Sequence, residues 1–372
     1  MKRQGKNRLQ GGKIMNSLCR KAGRTALIIV VLGILLGAVA ASAAPEHKWR
    51  FGVPWPRPTQ NEYFRIFCDL VKEYTNGRIE VRYFPDGQLG THDEHFHAVQ
   101  EGSVQISMFA PYVNLIPGGM LNWMPWTISN WDEAKIAFES GKGILWKVME
   151  DAYNEVGMHM LFQTSFGAYG LGNRERPVRK PEDLKNLKMR VSASLGLVRA
   201  LENMGKGHGM TLQTIPWGDL YDALSKGVVD GCWSMWPSLV EERHGEVLKY
   251  YSDVNFAWDT NNVVINKETW DDLPQDLKDA VTKAALEVEA RLYEKQQGIE
   301  QDFKKKLQTT GLQLVNLTPE ERDVFRDRSN MPAIWDELCK PWLEKKYPGE
   351  NMTKKIQEEL AKIREQAAAK SK

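Results

Sequence analysis

Asp183-Leu184-Lys185-Asn186-Leu187-Lys188-Met189-Arg190-Val191-Ser192 sets one arginine inside a short, otherwise apolar strand pattern. A guanidinium placed there offers a planar fork of donors to a carboxylate or sulfonate. An arginine on a half-exposed strand equally makes an ordinary surface ion pair, so the stretch alone leaves both readings open. Outward from it, strand-like and helix-like segments alternate, which predicts an α/β fold. Residues 158–166 read as a strand and 217–225 as a helix closed by Gly227. Val228-Val229-Asp230-Gly231 then opens a further strand.

The N-terminal half repeats this alternation. Residues 49–54 predict a strand, and 62–75 an amphipathic helix ended by Asn76-Gly77. Ile79, Val81 and Tyr83 alternate with Arg78, Glu80 and Arg82 in a strand over 78–84, turned by Pro85-Asp86-Gly87. Thr91 and Glu94 form a capping box for a helix that stops at Gly102, and 104–109 is a third strand. Towards the C-terminus, 262–266 predicts a strand and 274–310 a nearly unbroken helix. Pro274 suits its first turn, Gly311 its C-terminal cap, and Gly298 is the point where it can kink. At 1.5 Å per residue that helix spans about 55 Å, more than one lobe's width, so it is expected to run along both lobes. The charged, Ala-rich tail over 353–372 reads as a frayed helix.

The first 43 residues have the pattern of a secretory leader. Lys2, Arg3, Lys6, Arg8, Lys13, Arg20, Lys21 and Arg24 are basic, and no acid precedes Glu46. An apolar run over 26–41 follows, roughly 16 residues and short of the ~20 that span a membrane. Ala41-Ser42-Ala43 then fits a small-x-small cleavage site. The expectation is a signal peptide over 1–43, cleaved after Ala43, and a periplasmic mature chain; Met15 is an alternative start. Cys19 precedes the apolar run, so it is no lipid-bearing cysteine at the cleavage point. Of 50 basic and 48 acidic residues the leader holds the eight named; the rest balance at 42 − 48 = −6. That disfavours a nucleic-acid binder, which carries a basic surface. Cys68, Cys232 and Cys339 remain, allowing at most one disulfide and demanding none. The length left, 372 − 43 = 329 residues, exceeds what single cores usually fill, so two lobes are expected.

Chemical signatures are few. His92, His95 and His97 invite a metal, but His97 leaves the face shared by the other two. Asp93 and Glu94 suit a solvated first helical turn. Neither HExxH nor paired CxxC occurs, so no metal of those types is expected. Ser165-Phe166-Gly167 and Ser192-Ala193-Ser194 make no nucleophile elbow. Gly118-Gly119 and Gly205-Lys206-Gly207-His208-Gly209 lack phosphate-loop spacing and read as turns. An enzyme is therefore not expected, nor any cofactor. Thirteen tryptophans are many, and Trp55, Trp123, Trp126, Trp131, Trp217, Trp233, Trp236 and Trp258 fall near expected strand ends or loops. Each can simply pack in a core; as a group, several are expected to line a ligand cleft.

With these pieces placed, the chain resembles the extracytoplasmic solute-binding subunits of TRAP transporters (tripartite ATP-independent periplasmic transporters), the DctP-like family. The likeness covers essentially the whole chain after the leader. Asn76-Gly77-Arg78-Ile79-Glu80-Val81 leading to Phe84-Pro85-Asp86-Gly87-Gln88-Leu89-Gly90 is similar to that family's strand and turn, and Glu101-Gly102-Ser103-Val104-Gln105 to its next step. Arg176-Pro177-Val178, Pro181-Glu182-Asp183-Leu184 and Leu187-Lys188-Met189-Arg190 are similar to its central signature. Trp217 to Tyr221 and Leu224 to Gly231 resemble the block that follows.

The resemblance implies a two-lobe periplasmic-binding-protein fold of class α/β, with an interlobe cleft and the long helix bracing both lobes. Lobe I would hold 44–167 and 256–295, lobe II 168–255 and 296–345, with 346–372 a C-terminal helical tail. Arg190 would grip an acid group and Trp217 would lie over the ligand. Where members often carry a polar residue after Asp230-Gly231, this chain reads Cys232-Trp233-Ser234-Met235-Trp236, so Ser234 becomes the polar candidate and Trp233 and Trp236 narrow the cleft. Where many carry a second basic residue, Gly167-Ala168-Tyr169-Gly170 stands, and Tyr169 is its substitute. Trp55 and Trp126 complete the expected aromatic wall. The implied ligand is a small organic anion, a carboxylate or sulfonate. The missing second basic group and the many tryptophans favour a monoanion. The implied partners of a monomer are the DctQ-like small and DctM-like large membrane subunits. An exported ligand-sensing module that feeds a receptor is the alternative.

Overall fold

The computed structural model describes residues 44–109, 115, 116, 121 and 124–370. The leader expected over 1–43, as well as Gly118, Gly119 and Trp123, lies outside the described residues. One mixed sheet organises the chain: β1 (His47–Gly52), β2 (Ile79–Phe84), β3 (Ile106–Phe109), β4 (Met158–Asn173), β5 (Lys188–Val191), β6 (Thr211–Thr214), β7 (Gly231–Ser234), β8 (Tyr250–Asn266) and β9 (Gln313–Val315). Its order is β2-β1-β3-β8-β4-β7-β5-β6, with β9 on β8.

Two strands hold the halves together. The 16 residues of β4 and 17 of β8 run antiparallel along almost their whole length. One end of β8 pairs with β3 through 262–265, beside the parallel β1 and β2. The far end of β4 pairs with β7 through 170–173, beside the parallel β5 and β6. Both strands exceed the 158–166 and 262–266 expected from sequence. Their side chains are buried on both faces, so no apolar–polar alternation marks where they end. Glycine allows the close packing at the second half. A Cβ at Gly170 would lie 2.4 Å from the Ser252 carbonyl oxygen, and one at Gly231 2.3 Å from that of Gly172.

Helices cover the sheet. The first, Pro58–Tyr74, starts four residues before the expected 62 because Pro58 opens its first turn. His92–Gln100 begins at the expected capping box: Thr91 accepts from the Glu94 amide, and Glu94 reaches back to Thr91. The long helix is Gln275–Leu307, 33 residues and about 50 Å. Its Leu277, Val281, Ala284, Ala285, Val288 and Leu292 pack into the larger core cluster, while Phe303 and Leu307 join a second beside Leu220, Cys232, Trp236 and Tyr251. It braces both parts, and with β4 and β8 it makes His47–Lys372 one contact-dense unit. The tail departs from the frayed helix expected: Met352–Lys370 is helical and buries Ile356, Leu360, Ile363 and Ala367 along one stripe. Cys68, Cys232 and Cys339 are all buried free thiols.

Candidate ligand-binding cleft

A cavity of about 1000 Å³ opens between the loops after β1 and β2 on one side and those after β5, β6 and β7 on the other. Pro54, Trp55, Pro56, Gly87 and Thr91 contribute to the first wall; Arg190, Ser192, Trp217, Glu241 and Glu242 contribute to the second. This is the topological place for a ligand in an α/β sheet: the carboxyl ends of parallel strands from two units face each other there.

Arg190 sits in β5 between β6 and β7, in register with Gln213 and Cys232. It is fully buried yet borders the cavity. Its Nε donates to the Ile215 carbonyl at 2.8 Å, which fixes the plane of the guanidinium. Its guanidinium carbon lies over two indoles, 5.0 Å from the Trp217 ring centre and 5.5 Å from that of Trp233. Each stack of this kind is worth about 0.5–2 kcal/mol when desolvated. The Cys232 thiol beneath is pushed up to about 12 by burial, with the Arg190 charge pulling the other way.

Trp217 is positioned in turn. It opens the short turn Trp217–Asp219, and its Nε1 donates to Glu242 Oε2. Glu242 Oε1 accepts from Ser238 Oγ at 2.8 Å and from Arg57 Nε at 2.9 Å. Burial opposes its ionisation, but the Arg57 charge, with hydrogen bonds from Ser238 and Arg57, holds the carboxyl below the usual carboxylate range. His244 packs on Trp217 at 5.3 Å and lies 3.3 Å from Ser234 Oγ. Burial pushes it down to about 4, against the pull of Glu242, so it is neutral at pH 7.

Arg57 is the group that no local sequence signal announced. It lies between Pro56 and Pro58, buried, with its guanidinium carbon 5.6 Å from the Trp55 ring and 4.9 Å from Phe166. Besides Glu242, its Nη1 stands 3.6 Å from Asp259 Oδ2 on β8. Although burial disfavours its charge, Glu242 and Asp259 hold its pKa above the ordinary value. Asp259 is pushed up to about 6 by burial, against the opposing pull of Arg57.

The expected site residues divide. Arg190, Trp217 and Trp55 line the cavity, and Trp233 lies directly under Arg190. Tyr169 is behind the wall, its hydroxyl donating to Asp259 Oδ1 at 2.9 Å. Ser234 is fully buried against His244. Trp236 packs on Tyr251 at 4.8 Å, with the Lys304 amine over its other side at 4.7 Å. Trp126 donates to Ser329 Oγ at 3.0 Å, beneath the Pro319–Ser329 helix. Neither Trp236 nor Trp126 is among the cavity-lining residues. Of the three histidines, His92 lines the cavity and its ring lies tilted against Trp55, centres 5.5 Å apart. His95 is buried, not solvated as its turn suggested; it lies 3.0 Å from Ser107 Oγ, and burial pushes it down to about 4.

Comparison with known proteins bears on the family and the fold. Residues 53–340 match the family model described as bacterial extracellular solute-binding protein, family 7. The C4-dicarboxylate-binding periplasmic protein DctP of Rhodobacter capsulatus is 28% identical over 272 residues, 69% of this chain and 78% of that protein. The ectoine-binding periplasmic protein TeaA of Halomonas elongata is 23% identical over 297 residues, 78% of this chain and 84% of its own. Among solved structures, a TRAP periplasmic solute-binding protein from Sulfurospirillum deleyianum with bound succinate superposes with a TM-score of 0.71 at 24% identity, covering 84% of this chain and 99% of that one. One from Desulfovibrio salexigens with bound orotic acid gives 0.74 at 22%, covering 85% and 99%. These likenesses show the two-lobe α/β fold.

Proposed function

We propose that this chain, which belongs to bacterial extracellular solute-binding protein family 7, captures a small organic monoanion for a TRAP transporter. The single observation carrying the reading is Arg190: a guanidinium at the wall of an interlobe cavity, its plane fixed by a carbonyl and two indoles. The acid group of the ligand meets that fork, where charge-assisted hydrogen bonds fix its orientation. Trp217 and Trp55 cover its apolar part. Closure of the lobes, with 44–167 plus 256–295 moving against 168–255 plus 296–345, removes water and strengthens the ion pair. The closed form then docks on a DctQ-like and a DctM-like membrane subunit; no bond is made or broken. In this reading the leader over 1–43 is cleaved on export and the protein works in the periplasm. Succinate and orotic acid bound in two similar solved structures, and ectoine in the name of TeaA, support a small acid as the ligand.

A thermal-shift screen of organic acids tests the reading. A ligand at ~100 times its Kd adds about 2.7 kcal/mol of stability. For the best acid, calorimetry should show Arg190→Ala weakening binding by about 100-fold or more. Arg190→Lys should keep only a fraction of the affinity, because an ammonium lacks the fork. Wild-type affinity in Arg190→Ala would refute the assignment. So would tighter wild-type binding of succinate than of every monoanion.

A further inference from the structure

We propose that Arg57 is a second cation of the cleft held out of use: Glu242 and Asp259 neutralise it, and their pairing restricts the ligand to a single acidic group. This rests on the reading that an organic anion binds at Arg190. Arg57 follows two cleft-lining residues, Trp55 and Pro56, and its partner Glu242 lines the cleft directly. Arg57 itself is not among the cavity-lining residues, so its charge bears on the cleft from behind Trp55, Pro56 and Glu242. Glu242 takes Nε at 2.9 Å and Asp259 stands 3.6 Å from Nη1, so two carboxylates surround one cation and the cluster sums to −1. A second carboxylate arriving from a ligand therefore meets net negative charge where a dicarboxylate needs positive. Both partners are held in place. Trp217 Nε1 and Ser238 Oγ donate to Glu242, and Tyr169 hydroxyl donates to Asp259. Tyr169 thus acts as a positioning residue for the carboxylate that occupies Arg57, rather than as a replacement for a basic ligand contact.

Neutralising either carboxylate takes the cluster from −1 to 0 and removes the net negative charge that a second acid group would meet. The experiment is calorimetry with acids of matched carbon number that differ by one carboxyl: butyrate and succinate, valerate and glutarate, 2-methylbenzoate and phthalate. In Glu242→Gln and in Asp259→Asn the affinity ratio of dianion to monoanion should rise about 10-fold or more over wild type. Asp259→Asn leaves the Trp217–Glu242 bond intact, so a shared shift cannot come from a displaced indole. Adding Arg57→Gln to Glu242→Gln should cancel the gain, because Asp259 alone returns the cluster to −1. Unchanged ratios in both single variants, with the wild type still binding a monoanion, would overturn this inference alone. A gain that survives Arg57→Gln would also overturn it. If the wild type binds none of the six acids while Arg190→Ala behaves identically, the solute-binding reading itself falls, and this inference with it.

Discussion

Arg190 and Arg57 carry the same side chain and are similarly buried, yet their described surroundings differ in kind. Around Arg190 the described contacts are a carbonyl oxygen and two indole faces. Around Arg57 they are two carboxylates and two aromatic rings. Carbonyls and π-faces hold a guanidinium in place without cancelling its charge; carboxylates hold it in place and cancel it. A buried arginine is therefore no evidence of an anion site by itself. The chemistry of its partners separates an anchor from an internal ion pair.

The largest consequence concerns stability. Arg57→Ala strands two buried carboxylates, Glu242 and Asp259, that now share one cation. Breaking a buried pair from one side costs about 3–5 kcal/mol. The midpoint of urea unfolding should fall accordingly, and ligand-free protein should show the whole loss. An unfolding midpoint for Arg57→Ala equal to that of wild type would break the reading of Arg57 as an internal ion pair.

A smaller effect tests the same rule on a carboxyl. Glu289, buried on the long helix, is met by neutral donors: Ser140 Oγ at 2.6 Å and the Gln163 amide at 3.3 Å. Without a cation to oppose burial it is pushed up to about 7. A carboxyl whose folded pKa is raised binds its proton more tightly in the native state. Its stabilising contribution is complete below the unfolded value near 4.5 and is lost as pH rises through about 7. Glu289→Gln does not titrate, so its stability relative to wild type should climb between pH 5 and 8, on the order of 2–3 kcal/mol. A flat difference across that range would mean that Glu289 is as well compensated as Glu242.

How much of this was readable in the sequence follows from how local each signal is. The Thr91–Glu94 cap and the strand bearing Arg190 rest on neighbours within a few residues, and both were visible. The crossing strands were seen as short pieces, because burial on both faces and polar residues such as Gln163, Thr260 and Asn262 erase the alternation that marks a strand. The packed tail was in fact written in the spacing of Ile356, Leu360, Ile363 and Ala367, but charge and alanine content outweighed it in the reading. Arg57 was invisible for a different reason. Its role depends on Glu242, 185 positions away, and on Asp259 across the sheet, and a pairing between distant segments leaves no mark in either.

The smallest effect sharpens what an aromatic neighbour does for the anchor. Trp217 does two jobs in the cleft: its ring faces the Arg190 guanidinium, and its Nε1 ties it to Glu242. Trp217→Leu removes both and should weaken monoanion binding by about 1 kcal/mol, roughly fivefold. Trp217→Phe keeps a ring face but cuts the bond to Glu242, so it separates the two contributions. If the stacked face matters most, Phe should recover the larger share of the affinity while the preference for monoanions stays as it was. If the bond matters most, Phe should behave like Leu, and the freed Glu242 should tighten on Arg57. The second result would tie the two arginines together through one indole, making the wall that anchors the ligand and the wall that limits its charge a single device.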